Sequence, residues 1–393
     1  MNDIKVCPLE KIELPKAMDG HDGSNRNLVS KAQISVSNDL EAIKSWLSNS
    51  TDNESTYSSY RKEAERLLLW AVITMKKPLS SLNHGDFLEY EKFLLDPQPE
   101  STWIMPDDWK YARNHKLWRP FAMPLSKSSQ KQAMSILNTM MSWLVRSGYL
   151  IGNPLALSKS KRKHVQHEVT RFLDDDLWAH VKKTIMCMPQ ESDRDRKKFY
   201  RARWLFTLLF LGGLRVSEVV NNTMGCFKCR RASDDSDEWW LEIVGKGGKI
   251  RKVPVSDELL SEMMRYRAEN GLSTMPYQGD DTPLLLAVRD DAGYEKKSVT
   301  RNTIHVIVKS VFNMAACNIE LMGHDLHGKA ISLRQASAHW IRHTAASNMA
   351  KSMDLIFVRD NLGHANVTTT NRYLHAHDED RYKKTTSAHK MKW

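Results

Sequence analysis

Between Asn38 and Ser147 the apolar residues recur three and four positions apart, the spacing that lines them along one face of a helix. Leu40, Ile43 and Leu47 stripe a short segment, Asn38 to Leu47. Tyr57, Tyr60, Ala64, Leu67, Leu68 and Ala71 stripe a longer one, Thr56 to Met75, which Pro78 stops. Phe87, Tyr90 and Leu94 do the same for Asn83 to Leu95, and Ala133, Ile136, Leu137, Met140, Met141 and Leu144 for Ser129 to Ser147. Ser129 with Gln132 predicts a capping box at the start of that last helix, and Gly148 its end. Helices with one apolar stripe must bury it against each other, so this region is expected to form a helical domain.

Beyond residue 170 the pattern changes. Asp174 to Met186 and Lys198 to Leu211 read as helices, the second nearly all apolar from Trp204 onward and broken by Gly212-Gly213. Arg215 opens a further helix, with Glu218 one turn on. Trp239 to Val244 and Ile250 to Val255 alternate apolar and polar residues around Gly247-Gly248, which predicts a hairpin with Lys246 at its tip. Asp257 to Asn270 and Asn302 to Ala315 read as helices, Glu320 to Leu333 as a loop rich in His and Gly, and the stretch from Ala338 as helix again. A mainly α protein with one small antiparallel sheet is expected.

Three stretches carry no stripe. Residues 1–36 are polar, with Gly20 and Gly23, and read as a flexible arm. Asp96 to Leu125 is a long excursion holding Trp103, Trp109, Tyr111, Arg113, His115, Lys116, Trp118, Arg119 and Phe121. Such a mixture suits contact with nucleic acid, and it equally suits a loop that packs its own aromatics. Ser158 to His164 is basic, with Lys159, Lys161, Arg162 and Lys163, and lies between two helical blocks, the place of an interdomain linker. The expected divisions are an arm at 1–36, a helical domain at 37–157, a basic linker at 158–169, a second domain at 170–376 and a tail at 377–393.

The 393 residues suffice for two or three domains, and a net charge of +11 is the footprint of a polyanion partner. Five scattered cysteines argue against a disulfide framework and for a reducing interior. Cys226 and Cys229 form a C-x-x-C without a second pair at zinc-ligand spacing, and are read as incidental. No apolar run is long enough for a membrane span, and the N-terminus has no apolar signal core, so a cytoplasmic protein is expected.

The chemistry concentrates between Ala338 and His375. His339 and Arg342 stand three apart on one helix face. Leu362-Gly363-His364 follows, and then Tyr373. An arginine fork binds two phosphate oxygens at once, and a phenol becomes a covalent nucleophile when a base takes its proton. His339 and His343 sit at the spacing of a zinc helix, but Trp340 occupies the place of the metalloprotease glutamate. No clustered carboxylates suggest a two-metal nuclease, and neither metal nor cofactor is expected.

These residues resemble the signature of the tyrosine recombinases, the phage integrase family. Its pattern is H-x-x-R-H-T, then L-G-H, then Tyr nine residues after that His. Here stand His339-Trp340-Ile341-Arg342-His343-Thr344, Leu362-Gly363-His364 and Tyr373. Upstream, Gly213-Leu214-Arg215-Val216-Ser217-Glu218 resembles the family's first-arginine motif, and Val244-Gly245-Lys246-Gly247-Gly248-Lys249 its β-turn lysine motif. The resemblance runs from about residue 38 to 376.

It implies a helical, SAM-like core-binding domain followed by an α-rich catalytic domain. It implies a site-specific recombinase that cleaves and rejoins double-stranded DNA through a 3′-phosphotyrosine. Tyr373 would be the nucleophile, Arg215 and Arg342 the phosphate clamps, His364 a further donor, Lys246 the general acid, and His339 the assistant to the tyrosine. Glu218 and His343 would support them. Lys159, Lys161, Arg162 and Lys163 would cross the DNA backbone, giving affinity without sequence information. The family also implies a homo-tetramer on synapsed sites, a monomer or weak dimer when free, and a prokaryotic or mobile-element setting at the nucleoid. A DNA-binding accessory factor without cleavage and a type IB topoisomerase are the alternatives.

Overall fold

The computed structural model describes residues 4–29, 32–108, 111–157, 171–288, 297–323 and 326–363, with the side chains of Asp108 and Lys246 left out. The chain divides into two compact units, residues 1–163 and 164–393. Each has its own apolar core.

The first unit is built on helices α1 (Asp39–Ser48), α2 (Glu54–Ile73) and α3 (His84–Leu95), a single turn α4 (Glu100–Trp103), and α5 (Lys127–Arg146). Each long helix starts where a side chain can take an orphan N–H of its first turn. Asn38, Asn53, Asn83 and Ser126 accept from the N–H groups of Glu41, Thr56, Asp86 and Ser129. The cap of α5 is therefore Ser126 and not Ser129, and the helix begins a turn earlier than its stripe predicts. Leu67, Leu68, Phe87, Tyr90, Leu137, Met140 and Leu144 fill the interior, as their spacing requires.

The N-terminal segment departs from the flexible arm expected for it. Leu9 and Ile12 are buried in the core of this unit. The Leu9 N–H donates to the buried Glu65 carboxylate at 2.6 Å. Arg113 grips the same carboxylate at 2.5 Å and Glu10 at 2.6 Å. Asp39, also buried, accepts from the Tyr149 hydroxyl at 2.7 Å and from the Ser80 N–H at 2.9 Å, while its own N–H donates to the Asp19 carbonyl. Two apolar anchors and a few long-range ionic contacts hold the segment, and neither leaves a local periodicity.

The 96–125 excursion packs Trp103, Trp118 and Phe121 inward. Trp103 and Phe121 meet Phe93 edge-on, with centroids 4.9 and 5.8 Å away, and Arg66 lies over Phe121 while donating to the Pro120 carbonyl. Trp118 is buried too, with the Arg113 guanidinium over its ring. Trp109 lies outside the described residues.

The second unit is organised around α7 (Asp193–Phe210), whose Trp204, Leu205, Leu208 and Leu209 are fully covered. Helix α6 (Asp175–Met186) precedes it and the short α8 (Val216–Asn221) follows. Ser192 caps α7, which starts five residues before the predicted Lys198. Strands β1 (Phe227–Arg231), β2 (Asp237–Val244) and β3 (Ile250–Pro254) form one antiparallel sheet in the order β1-β2-β3. The predicted hairpin is β2–β3. Strand β1 gives no alternating signal, because of its five residues only Phe227 is buried.

Helices α9 (Asp257–Glu269), α10 (Arg301–Glu320), α11 (His327–Gln335), α12 (Ala338–Ser352) and α13 (Leu355–Leu362) complete the unit. Helix α10 outruns its predicted end, and α11 lies in the stretch expected to be a loop. Ala330 and Leu333 bury one side of α11, and two apolar residues are too few to show a period. α12 packs on α7, and α13 packs on β3. No helix among the described residues is long and apolar enough to cross a membrane.

Candidate active site

Three chain segments far apart in sequence meet where α7 ends. The first is the turn after α7. Gly213 takes a left-handed conformation at φ +55°, and a Cβ there would lie 3.0 Å from Leu362. The turn places Arg215 at the N-terminus of α8. The Arg215 N–H donates to Glu218 Oε2 at 2.9 Å and its guanidinium to Oε1 at 2.7 Å. Glu218 is 2% exposed, and a carboxylate so placed must be paired.

The second segment is the hairpin. Asn222, at the end of α8, donates its side-chain amide to the Val244 carbonyl at 3.1 Å, and the Val244 N–H returns a bond to Asn222 Oδ1 at 3.0 Å. The helix that carries Glu218 is thus tied to the last residue of β2. Gly247 and Gly248, both at φ +73°, close the turn in a conformation that favours glycine. The backbone of Lys246 sits in that turn.

The third segment is α12 with α13. Thr344 fixes α12 by accepting the Leu173 N–H and donating to the Trp340 carbonyl, both at 2.9 Å. Arg342, 3% exposed, points into the site and donates to the carbonyls of Gly213 and Leu362. Arg215 donates to the Gly363 carbonyl at 3.1 Å, and Arg251 to that of Asn361. Three successive carbonyls at the end of α13 therefore each meet a different guanidinium. They are the acceptors that a helix C-terminus leaves without intrahelical partners.

Arg251 was not among the residues expected from the sequence. It stands on β3 opposite Ile243, and Val253 two residues on is opposite Leu241. Ile243, Leu241 and Val253 are all buried, so the strand's alternation turns Arg251 inward. A cation at an inward strand position was the available signal. Its guanidinium donates to Glu218 Oε2 at 2.8 Å and to the Gly213 carbonyl at 3.3 Å.

The charges explain how the site's groups titrate. Burial would raise the Glu218 pKa, but the charge and hydrogen bond of Arg251, with the bonds from Arg215, hold it below the usual carboxylate value. His339 is open to solvent on one side. Partial burial first, and then the positive charges of Arg342, Arg215 and Arg171, lower its pKa, which favours the neutral imidazole. Its ring meets His343 edge-on at 4.2 Å.

Among the expected site residues, the fold brings Arg215, Glu218, His339, Arg342 and His343 together. For Lys246 only the backbone position in the turn is described. His364 and Tyr373 lie outside the described residues, as do Lys159, Lys161, Arg162 and Lys163. Gly363, the last described residue, places the chain at the guanidinium cluster one residue before His364. Three guanidiniums converge here: Arg215 and Arg251 bond the Glu218 carboxylate, and Arg342 bonds the neighbouring Gly213 carbonyl. Guanidinium forks gathered in this way suit an anion that offers two oxygens to a fork, such as a phosphodiester.

Residues 179–380 match the phage integrase family. The tyrosine recombinase XerD of Neisseria meningitidis serogroup B is 28% identical over 254 residues, which cover 63% of this chain and 72% of that protein. XerD of Shewanella oneidensis is 27% identical over 311 residues, covering 78% and 89%. The fold is similar to that of the XerH site-specific recombinase bound to palindromic difH substrate, with a TM-score of 0.58 and 16% identity over 98% of this chain and 99% of that one. It is also similar to the Tn1549 transposon integrase in complex with a circular intermediate DNA, with a TM-score of 0.55 and 16% identity over 88% and 98%.

Proposed function

This chain belongs to the phage integrase family and is a site-specific tyrosine recombinase that breaks and rejoins DNA, and we propose the following roles for its residues. Tyr373 Oη attacks a backbone phosphorus as its proton leaves toward His339. The P–O bond to the 5′-oxygen breaks, that oxygen takes a proton from Lys246, and a 3′-phosphotyrosine remains. A 5′-hydroxyl from another strand then attacks the same phosphorus and releases the tyrosine. One ester replaces another at each step, so no nucleotide is consumed.

The observation that carries this reading is the convergence of Arg215, Arg251 and Arg342 on the turn after α7 and the end of α13. A pentavalent phosphorus transition state gathers negative charge on its non-bridging oxygens. Fixed donors aimed at such charge are worth roughly 3 kcal/mol each. Arg215, whose side chain is 38% exposed, has the freer approach to a phosphate. Arg342 contributes from beneath, and His364 adds a hydrogen bond. A phenol with a pKa near 10 is a poor nucleophile at neutral pH, and a neutral His339 is the state able to accept its proton.

Lys159, Lys161, Arg162 and Lys163 are proposed to contact the DNA backbone, which would make binding strongly dependent on salt. A tetramer on two synapsed sites, formed from monomers or weak dimers, is the proposed active assembly, and the bacterial cytoplasm at the nucleoid its setting.

The test is a nicked duplex drawn from the sequences that this protein enriches from a random pool. Cleavage beside the nick releases a short strand that diffuses away, so the covalent adduct accumulates. The adduct is expected on Tyr373. Tyr373→Phe should abolish it while the DNA remains bound. An adduct on another residue, or one that survives Tyr373→Phe, would overturn the assignment.

A further inference from the structure

We infer that Arg251 is a positioning residue for strand cleavage, setting Arg215 through their shared carboxylate Glu218 and fixing the backbone ahead of His364 through the Asn361 carbonyl. This rests on the site reading above and extends it to a residue that does not meet the phosphate. The Arg251 side chain is 9% exposed and lies beneath the site.

Both oxygens of the Glu218 carboxylate are occupied. Oε1 receives the Arg215 guanidinium at 2.7 Å. Oε2 receives the Arg215 N–H at 2.9 Å and Arg251 at 2.8 Å. Among the described residues, Arg215 on its own helix and Arg251 on β3 are the two cations bonded to this carboxylate. Arg342 reaches the neighbouring Gly213 carbonyl from α12. With Arg251 in place, the negative charge of Glu218 is divided between two guanidiniums, and Arg215 keeps donors for a ligand. Without Arg251, the buried carboxylate keeps Arg215 as its one bonded cation among the described residues and draws that guanidinium inward.

The backbone gives a second, independent reason. A Cβ on Gly363 would lie 2.4 Å from Arg251 Cδ, and Gly363 has φ +60°. The chain thus crosses the Arg251 stem in contact, in a conformation that a glycine alone takes at little cost, one residue before His364. The guanidinium at the end of that stem holds Asn361 and Gly213 together. Five residues along the same hairpin arm lies Lys246. Arg251 therefore fixes, through one rigid fork, the first-arginine turn, the hairpin arm and the approach to His364.

The experiment measures single-turnover cleavage of the selected nicked duplex as a function of pH, with affinity measured in parallel. Arg251→Met is expected to slow cleavage about 100-fold, the scale of a small misplacement of catalytic groups, with a much smaller loss of affinity. It should also add a further loss of rate at low pH to the parent's own pH profile. Burial without the Arg251 charge raises the Glu218 pKa, so the rate should fall further as the pH is lowered. Arg251→Lys keeps a cation beside Glu218 and should restore the parent's pH profile. Adding Glu218→Gln to Arg251→Met should erase that further loss. If Arg251→Met proves too unstable, Arg251→Lys and Glu218→Gln carry the comparison. Variants that lose active fraction on titration yet keep the parent's pH profile would show a purely structural arginine and overturn the inference. If the parent itself formed no adduct on Tyr373, the site reading would fall first, and this inference with it.

Discussion

Arg342 and Leu362, twenty residues apart on consecutive helices, are joined by a hydrogen bond from the guanidinium to the last carbonyl of α13. The other end of the fork reaches Gly213, 129 residues earlier. One side chain thus holds both the turn that presents Arg215 and the turn that leads to His364. The clamp proposed for the phosphate is also a structural tie.

Arg342→Ala should therefore cost stability as well as cleavage. It removes the donor from the Leu362 carbonyl and leaves the Gly213 carbonyl with the longer bond from Arg251. A buried acceptor left unmade costs about 1–3 kcal/mol, so a loss of about 2 kcal/mol or more is expected in urea unfolding of the DNA-free protein. Arg342→Lys, with one compact cation in place of a fork, should fall between the two. Full stability in Arg342→Ala would mean that the tie does not carry load.

His339 should make stability depend on pH in a stated direction. Folding lowers its pKa, through partial burial and then the charges of Arg342, Arg215 and Arg171. Above the ordinary imidazole value of about 6.5 the ring is neutral in both states. Below it, the unfolded chain takes up a proton that the folded chain resists, so stability is lost as the pH falls through the folded value. In His339→Gln that part of the acid loss should vanish. NMR of the labelled imidazole should give a midpoint under about 6.5. A midpoint above it would remove the case for His339 as the proton acceptor.

The readability of the chain followed the range of its interactions. The stripes along α2, α3 and α5 could be read because a helix repeats its core face every three or four residues. The hairpin could be read because its alternation and two glycines lie within twenty residues. Arg215, Glu218, His339 and Arg342 could be placed because a family pattern joined them. The N-terminal segment could not, because Leu9 and Glu65 are 56 residues apart and meet through one hydrogen bond. Arg251 is hidden in the sequence for a related reason. Its neighbours Ile250 and Lys252 made β3 look like an ordinary half-exposed strand, and its partners Glu218 and Asn361 appear only once the chain is folded.

Gly363→Ala tests the close approach between α13 and β3. A residue with a Cβ in the left-handed conformation costs roughly 1–2 kcal/mol. Here the added carbon would also meet the Arg251 stem. A loss of at least about 1 kcal/mol is expected in denaturant unfolding. Cleavage should fall in the same manner as in Arg251→Met, including the further loss at low pH. Because the two changes strike one contact, their effects together should be clearly less than the sum of each alone. Simple additivity would place the two residues in separate roles.

One lysine of the hairpin turn is placed to give up the proton. The hairpin turn is held at both ends, by the bonds of Asn222 to Val244 and by the Gly245 N–H to the Lys249 carbonyl at 2.8 Å. Lys252 is turned to the outer face of β3, where it meets Glu242 at 3.6 Å, and Lys249 is exposed at the foot of the turn. Lys246 occupies the turn itself, beside the tie to α8. If Lys246 is the general acid, Lys246→Ala should slow cleavage of an ordinary phosphodiester by about 10²- to 10⁴-fold, the usual worth of such a proton transfer. A substrate whose 5′-bridging oxygen is replaced by sulfur should recover most of that loss. A thiol with a pKa near 8.5 leaves as its anion at neutral pH far more readily than an alcohol does. Arg342→Ala should gain far less from the sulfur, because its defect is in charge on the non-bridging oxygens and not in the leaving group. Lys249→Ala should cleave both substrates at nearly the parent's rate. If sulfur rescued Lys249→Ala and failed to rescue Lys246→Ala, the proton would come from the other end of the turn.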